Sequence, residues 1–259
     1  MPLELLERYY TTRNLRRRLG SRHERSFLEV GAFTTSGWED DFQGDLFRGG
    51  TAPGMYQSTA SGAAAATAAI STGVVNGAAL IDAGTDDNGR SDLSWGLHYR
   101  GDLNAVYVTR FSINTLTTRK FEIGFTDVLS GTDAGAVNVK ATPTFNATDA
   151  ALLVYDTDDD AVLTLVGVKA GTAATVADFS IALSAATYYY FGVALESDIA
   201  RGFVLDANGA LLEEKVIEDA VTETVLLTPW LFVQNRAANA GSMTLDWHRA
   251  YQRRTSTAT

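Results

Sequence analysis

The stretch Phe121-Glu122-Ile123-Gly124-Phe125-Thr126-Asp127 decides how the chain is read. Side chains alternate across a β-strand. Phe121, Ile123 and Phe125 therefore share one face, which the alternation assigns to a core. Glu122, Gly124 and Thr126 take the other face, which is expected to be wet, and Asp127 ends the strand. Two carboxylates on one strand invite comparison with sugar-cleaving enzymes, which place an acid and a base about 5–9 Å apart across the scissile bond. Here odd and even offsets send Glu122 and Asp127 to opposite faces, so the pair is expected not to be catalytic.

Short apolar and aromatic runs broken by Gly, Asp and Asn continue on both sides of this strand. Strands are predicted over 78–82, 93–99, 105–113, 120–125, 150–155, 162–169, 179–183, 188–195, 202–205, 211–217, 226–235 and 243–249. Many short strands with turn signals between them predict an antiparallel sandwich. Asp206-Ala207-Asn208-Gly209 and Asp156-Thr157-Asp158-Asp159-Asp160 read as turns. Ser58–Thr72, rich in Ala, Gly, Ser and Thr, reads as a loop or weak helix. Alternation through Met243–Arg249 puts Leu245, Trp247 and Arg249 on one face and Asp246 and His248 on the other. Trp247 is therefore expected between the sheets.

At 259 residues with 46% hydrophobic residues, one large sandwich with a real core is possible. There is no cysteine, so disulfides, thiolate nucleophiles and thiolate metal sites are excluded. No run reaches the ~18 apolar residues of a membrane-spanning helix. Charges at Glu4, Glu7 and Arg8 argue against a secretory signal. The net charge is −10, unevenly spread: residues 1–30 hold seven Arg against four Glu, so the rest carries −13. An acidic body makes direct nucleic-acid binding unexpected, and a basic arm upon it implies a partner of its own.

Residues 1–35 are expected to form that arm, partly helical, ahead of a sandwich over 36–259. Leu5, Leu6 and Tyr9 make an apolar stripe, and Arg13, Arg16, Arg17 and Arg18 crowd the last turn before Gly20. These seven residues are the predicted docking set, directed at another protein or a second copy of the chain.

Other chemistry has weaker support. His23, His98 and His248 show no metal-ligand spacing. Gly84–Asp92 and Asp156–Asp160 do not fit a calcium-loop pattern. No Gly-x-Ser-x-Gly occurs, and no cofactor is expected. Asn146-Ala-Thr148 matches a glycosylation acceptor, a motif common by chance. Trp95, Tyr99, Tyr188, Tyr190 and Trp230 have the rings to stack on sugars, but lie in runs that favour core packing.

Ala105–Asp127, "AVYVTRFSINTLTTRKFEIGFTD", resembles paired strands of concanavalin-A-like, laminin-G-like and glucanase-like jelly rolls. Thr187–Glu214 is similar to a hairpin of those folds. Pro229–Arg254, "PWLFVQNRAANAGSMTLDWHRAYQRR", is similar to their closing segment, whose final strand lies beside the first. The resemblance spans about Ser36 to Arg253. It extends to tailed-bacteriophage structural proteins that carry such a domain. It implies an all-β antiparallel jelly roll in a non-enzymatic virion component, a capsid decoration (cement) or tail or fibre protein that docks through its arm to other virion proteins and forms a homo-oligomer. The alternative is a lectin-like module binding a surface glycan, which requires aromatics exposed on a concave sheet face. The Glu-x-Asp-x-(x)-Glu strand of the catalytic members and the calcium–manganese pattern of legume lectins are both missing.

Overall fold

A computed structural model of the chain describes residues 35–40, 42, 56–62, 66–71, 77–130, 135–140 and 144–254. The predicted arm, with Leu5, Leu6, Tyr9, Arg13, Arg16, Arg17 and Arg18, lies outside the described residues, as does His23.

The described chain is all-β. Its strands are β1 (Thr35–Asp40), β2 (Ala60–Ser61), β3 (Thr67–Ile70), β4 (Ala79–Asp82), β5 (Arg90–Ser94), β6 (Val106–Ile113), β7 (Arg119–Thr126), β8 (Val137–Val139) and β9 (Thr144–Phe145). Then follow β10 (Ala150–Asp156), β11 (Leu163–Lys169), β12 (Thr172–Asp178), β13 (Tyr189–Glu196), β14 (Ile199–Leu205), β15 (Leu211–Ile217), β16 (Thr228–Asn235) and β17 (Ser242–Arg253). A 3₁₀ turn at Gly101–Leu103 is the one helical element among the described residues.

Two antiparallel sheets pack face to face. One runs β15-β14-β13-β6-β17-β4-β3, with β1 also on β17; the other runs β12-β11-β10-β7-β16-β5-β2. Phe121, Ile123 and Phe125 point between the sheets, as their alternation predicts, and join Phe111, Phe191, Leu165 and Leu231 in the main core. Each such side chain, fully buried, contributes about 1.5–3 kcal/mol by leaving water. β13 and β14 form the predicted hairpin, and β17 lies beside β1, with Thr35 opposite Arg253.

Several expectations are corrected. β6 and β7 follow each other but lie in opposite sheets, and so do β16 and β17. Each pair is a crossover between layers, not a hairpin. The stretch read as a loop or weak helix supplies β2 and β3. At 179–183 there is no strand; Thr172–Asp178 pairs with β11 instead.

Trp247 is not between the sheets. The register between β17 and β6 shifts between Leu245 and Trp247, leaving Asp246 as an extra residue. A bulge of this kind reverses the alternation beyond it. Met243 and Leu245 face the core before it, and Ala250 after it. Trp247 and Tyr251 go to the outer face, where they pack partly buried against Val106, Val108, Tyr190, Ala194, Phe203 and Leu205.

Candidate functional site

The outer face of the seven-stranded sheet, around Glu122, is where the opening stretch places its chemistry. Register aligns Asp92, Phe232, Glu122, Val154 and Thr164 in one row across β5, β16, β7, β10 and β11. Glu122 faces away from the main core, as alternation requires. It is not wet: its exposure is 0%.

The cover comes from residues 135–140 and 144–149, between β7 and β10, which lie over the sheet and within which β8 and β9 pair. Ala136, Val137 and Ala147 from the segment close a second apolar layer with Leu152, Val154, Val166, Trp230 and Phe232 of the sheet.

Glu122 is the anchor of that cover. Its carboxylate accepts the backbone N–H of Ala136 at 2.8 Å and of Val137 at 3.1 Å. The Trp230 indole N–H donates to it at 2.9 Å. The Lys120 ammonium, two residues back on the same face and 0% exposed, lies 3.1 Å away and also donates to the Val137 carbonyl. Gly135 makes the approach possible: its φ is +78°, and a Cβ there would sit 2.5 Å from Glu122 Oε1. That φ suits glycine, the residue without a Cβ to clash.

Asp127 holds the other end of the same segment. It accepts the backbone N–H of Thr148 at 3.1 Å, and its own N–H donates to the Asp149 carbonyl. Burial raises its pKa above the ordinary carboxylate range, against the opposing pull of those backbone N–H groups. The two carboxylates of the opening stretch thus grip one chain excursion at its two ends.

Chemically this is a fastener. A carboxylate without exposure, holding four donors, has neither access to a substrate nor a free lone pair for proton transfer. Among the described residues, the carboxylates that share its sheet face by register include Asp92, two strands away with the Phe232 ring between them, Asp156, which pairs with Arg236, and Asp178, which accepts from the Thr164 hydroxyl. Asp92 is 1% exposed and accepts the Thr59 N–H.

The remaining sequence candidates fall elsewhere. Trp95, Tyr99, Tyr190 and Trp230 are buried, whereas Tyr188 is partly exposed and stacks on the Arg110 guanidinium at 4.4 Å. His98 is exposed and His248 buried. In the turn at 84–88, Asn235 already donates to the carbonyls of Gly84 and Asp86. Asp156 pairs with Arg236, and Asp160 with Lys140. No three His, Asp or Glu residues come together as a metal set among the described residues.

Sequence reading missed the Lys120–Glu122–Trp230 cluster. One signal was present: Lys120 and Glu122 stand at i and i+2, hence on one face of a strand. What covers that face was not legible.

No family model matches the chain, and no curated protein matches it. Solved structures match its fold. A protein of unknown function from Shewanella oneidensis MR-1 aligns with TM-score 0.63 at 16% identity, over 93% of this chain and 98% of that one. Peanut lectin aligns with TM-score 0.54 at 8% identity, over 86% and 99%. The CBM2 module of an evolved Dit from Lactobacillus casei BL23 phage J-1 aligns with TM-score 0.50 at 9% identity, over 86% and 98%. A β-glucanase from Bacillus licheniformis shares the fold too, with TM-score 0.52 at 10% identity, over 84% and 98%. The chain is therefore a concanavalin-A-like antiparallel jelly roll, a fold occupied by binding proteins and by an enzyme.

Proposed function

We propose that the chain is a non-enzymatic structural component of a tailed-phage virion, a capsid decoration or tail protein. The sandwich is its rigid body, and the basic arm docks that body to other virion proteins or to further copies of the chain. One observation carries the non-enzymatic part. The sheet face bearing Glu122 is covered by residues 135–140 and 144–149, and Glu122 is saturated by that cover. A sheet closed in this way favours a body over a catalyst.

The virion part is supported by the sequence resemblance and by a phage Dit module of the same fold. The test is mass spectrometry of purified particles from a phage encoding the chain. The expected result is a fixed, integral copy number. Deleting residues 2–25 is expected to leave a folded body that no longer joins the particle. Absence from particles, or normal incorporation of the truncated chain, overturns this reading.

Carbohydrate binding is the second reading, and a specific observation favours it. The outer face of the eight-stranded sheet carries partly exposed Tyr188, Trp247 and Tyr251, with Arg110 and Arg249 stacked among the rings. Rings with charged hydrogen-bonding groups between them suit a sugar. A glycan array probed with the parent and Trp247→Ala tests it: binding lost in the variant supports a site on this face.

A further inference from the structure

β1, Phe42, Tyr56 and β2 make a strap that is attached to both sheets. β1 lies on β17 of the eight-stranded sheet. Gln57 then bridges Ser94, and β2 lies on β5, both in the seven-stranded sheet. Between these attachments Phe42 and Tyr56 plug into the main core, at 1% and 8% exposure. Both rings stand against the His248 imidazole, with centroids 5.0 and 5.5 Å away.

Tyr56 links the strap to that imidazole. Its hydroxyl lies 2.7 Å from Asp40 Oδ2, 2.8 Å from His248 Nε2 and 3.2 Å from Trp38 Nε1. Burial, and then the Asp40 charge, push its pKa far above the phenol range, so it keeps its proton. That single proton goes to the carboxylate, which only accepts. Tyr56 Oη must then accept from Trp38 and from His248, which fixes His248 as the Nε2–H tautomer. Its Nδ1 carries a bare lone pair with no hydrogen-bond partner among the described residues.

Protonating Nδ1 places a charge in an aromatic box. Trp95 packs 4.6 Å from the imidazole and Tyr107 6.3 Å, besides Phe42 and Tyr56. Thr109 is the cross-strand neighbour on β6, and Asp40 the one on β1. Among the described residues, the titratable groups facing the ring are Tyr56, Tyr107 and Asp40, the last reached through the Tyr56 hydroxyl. The Tyr107 phenol is held neutral by burial.

We propose that Asp40, Tyr56 and His248 form an acid-releasable latch, which fastens the strap of β1, Phe42, Tyr56 and β2 across the two sheets. Burial lowers the His248 pKa from 6.5 to about 3 while the strap is closed. An opened strap admits water and lets the imidazole return toward its ordinary value. The open form then binds the extra proton, so opening is favoured as pH falls from about 6.5 toward 3, by up to about ten-fold per pH unit.

Hydrogen exchange of the full chain, read by mass spectrometry and corrected for the intrinsic pH dependence, tests this. Peptides covering Thr35–Asp40 are expected to open up to about ten-fold more per pH unit below about 6.5, while β7 and β10 stay protected. His248→Gln keeps an N–H donor for Tyr56 but cannot titrate, and its strap opening is expected to be flat with pH. A flat parent, an equal slope in the variant, or strap and core opening together overturns the latch. The parent alone gives a second reading that does not depend on the variant folding. Nitrogen chemical shifts of His248 are expected to show the Nε2–H tautomer with no native-state titration down to pH 4.5. Titration near 6.5 overturns it.

Discussion

Replacing Glu122 by alanine strips the second apolar layer of its anchor. Lys120 stays behind with 0% exposure and its ionic partner gone. The N–H groups of Ala136, Val137 and Trp230 lose their acceptor. Removing one partner of a buried ion pair costs about 3–5 kcal/mol, because the other charge stays buried. Each orphaned donor adds about 1–3 kcal/mol. These penalties do not sum freely, since the cover made by residues 135–140 and 144–149 can lift and admit water. Its docking energy sets the ceiling, so a loss of about 3–5 kcal/mol is expected for Glu122→Ala. Glu122→Gln retains one acceptor oxygen and is expected to lose about 2–3 kcal/mol. Adding Lys120→Met removes the stranded charge, so the double variant is expected to lose less than the two singles together, with a coupling of about 1–3 kcal/mol. Urea titration followed by tryptophan fluorescence measures the parent, Glu122→Ala, Glu122→Gln, Lys120→Met and the double variant. Glu122→Gln within about 0.5 kcal/mol of the parent, or a cycle without coupling, refutes the fastener. A glycan-hydrolysing rate lost on Glu122→Gln refutes the non-catalytic assignment.

Further outcomes follow from the same geometry. Gly135→Ala puts a methyl against the Glu122 carboxylate at a left-handed φ, and is expected to destabilise by about 1–3 kcal/mol and to shift Trp230 fluorescence. Leu245→Ala, in the main core, is expected to cost about 2–5 kcal/mol. Trp247→Ala, on the outer face, is expected to cost clearly less, and thermal melts of the two variants rank them. Arg119→Met removes the guanidinium that Asn235, Asn239 and the Ala240 carbonyl share; a loss of about 2–4 kcal/mol is expected in denaturant titration. Millimolar calcium is expected to leave the melting temperature unchanged, because Arg236 and Lys140 already pair with Asp156 and Asp160.

Alternation in Phe121–Phe125 is a local property of the chain, since neighbouring side chains on a strand must point oppositely. It therefore determined the strand, its core face and, with the other short runs, an antiparallel sandwich. The basic arm is equally explicit in composition, and its docking role stays a proposal. What covers Glu122 is a different kind of fact. It depends on where the chain between β7 and β10 returns, and no periodicity in that segment encodes a contact with the strand before it. The same holds for β6 and β7, adjacent in sequence but placed in opposite sheets by pairing with β13, β17, β10 and β16. At Trp247 one inserted residue reversed the faces, because a period of two has no memory beyond a bulge. Alternation alone puts His248 opposite Trp247, away from the core; its contacts with Phe42, Tyr56 and Trp95 come from segments far apart in sequence. Periodicity reports which side of its own strand a residue takes. Only the packed structure decides whether that side meets water, a second layer of chain or a latch.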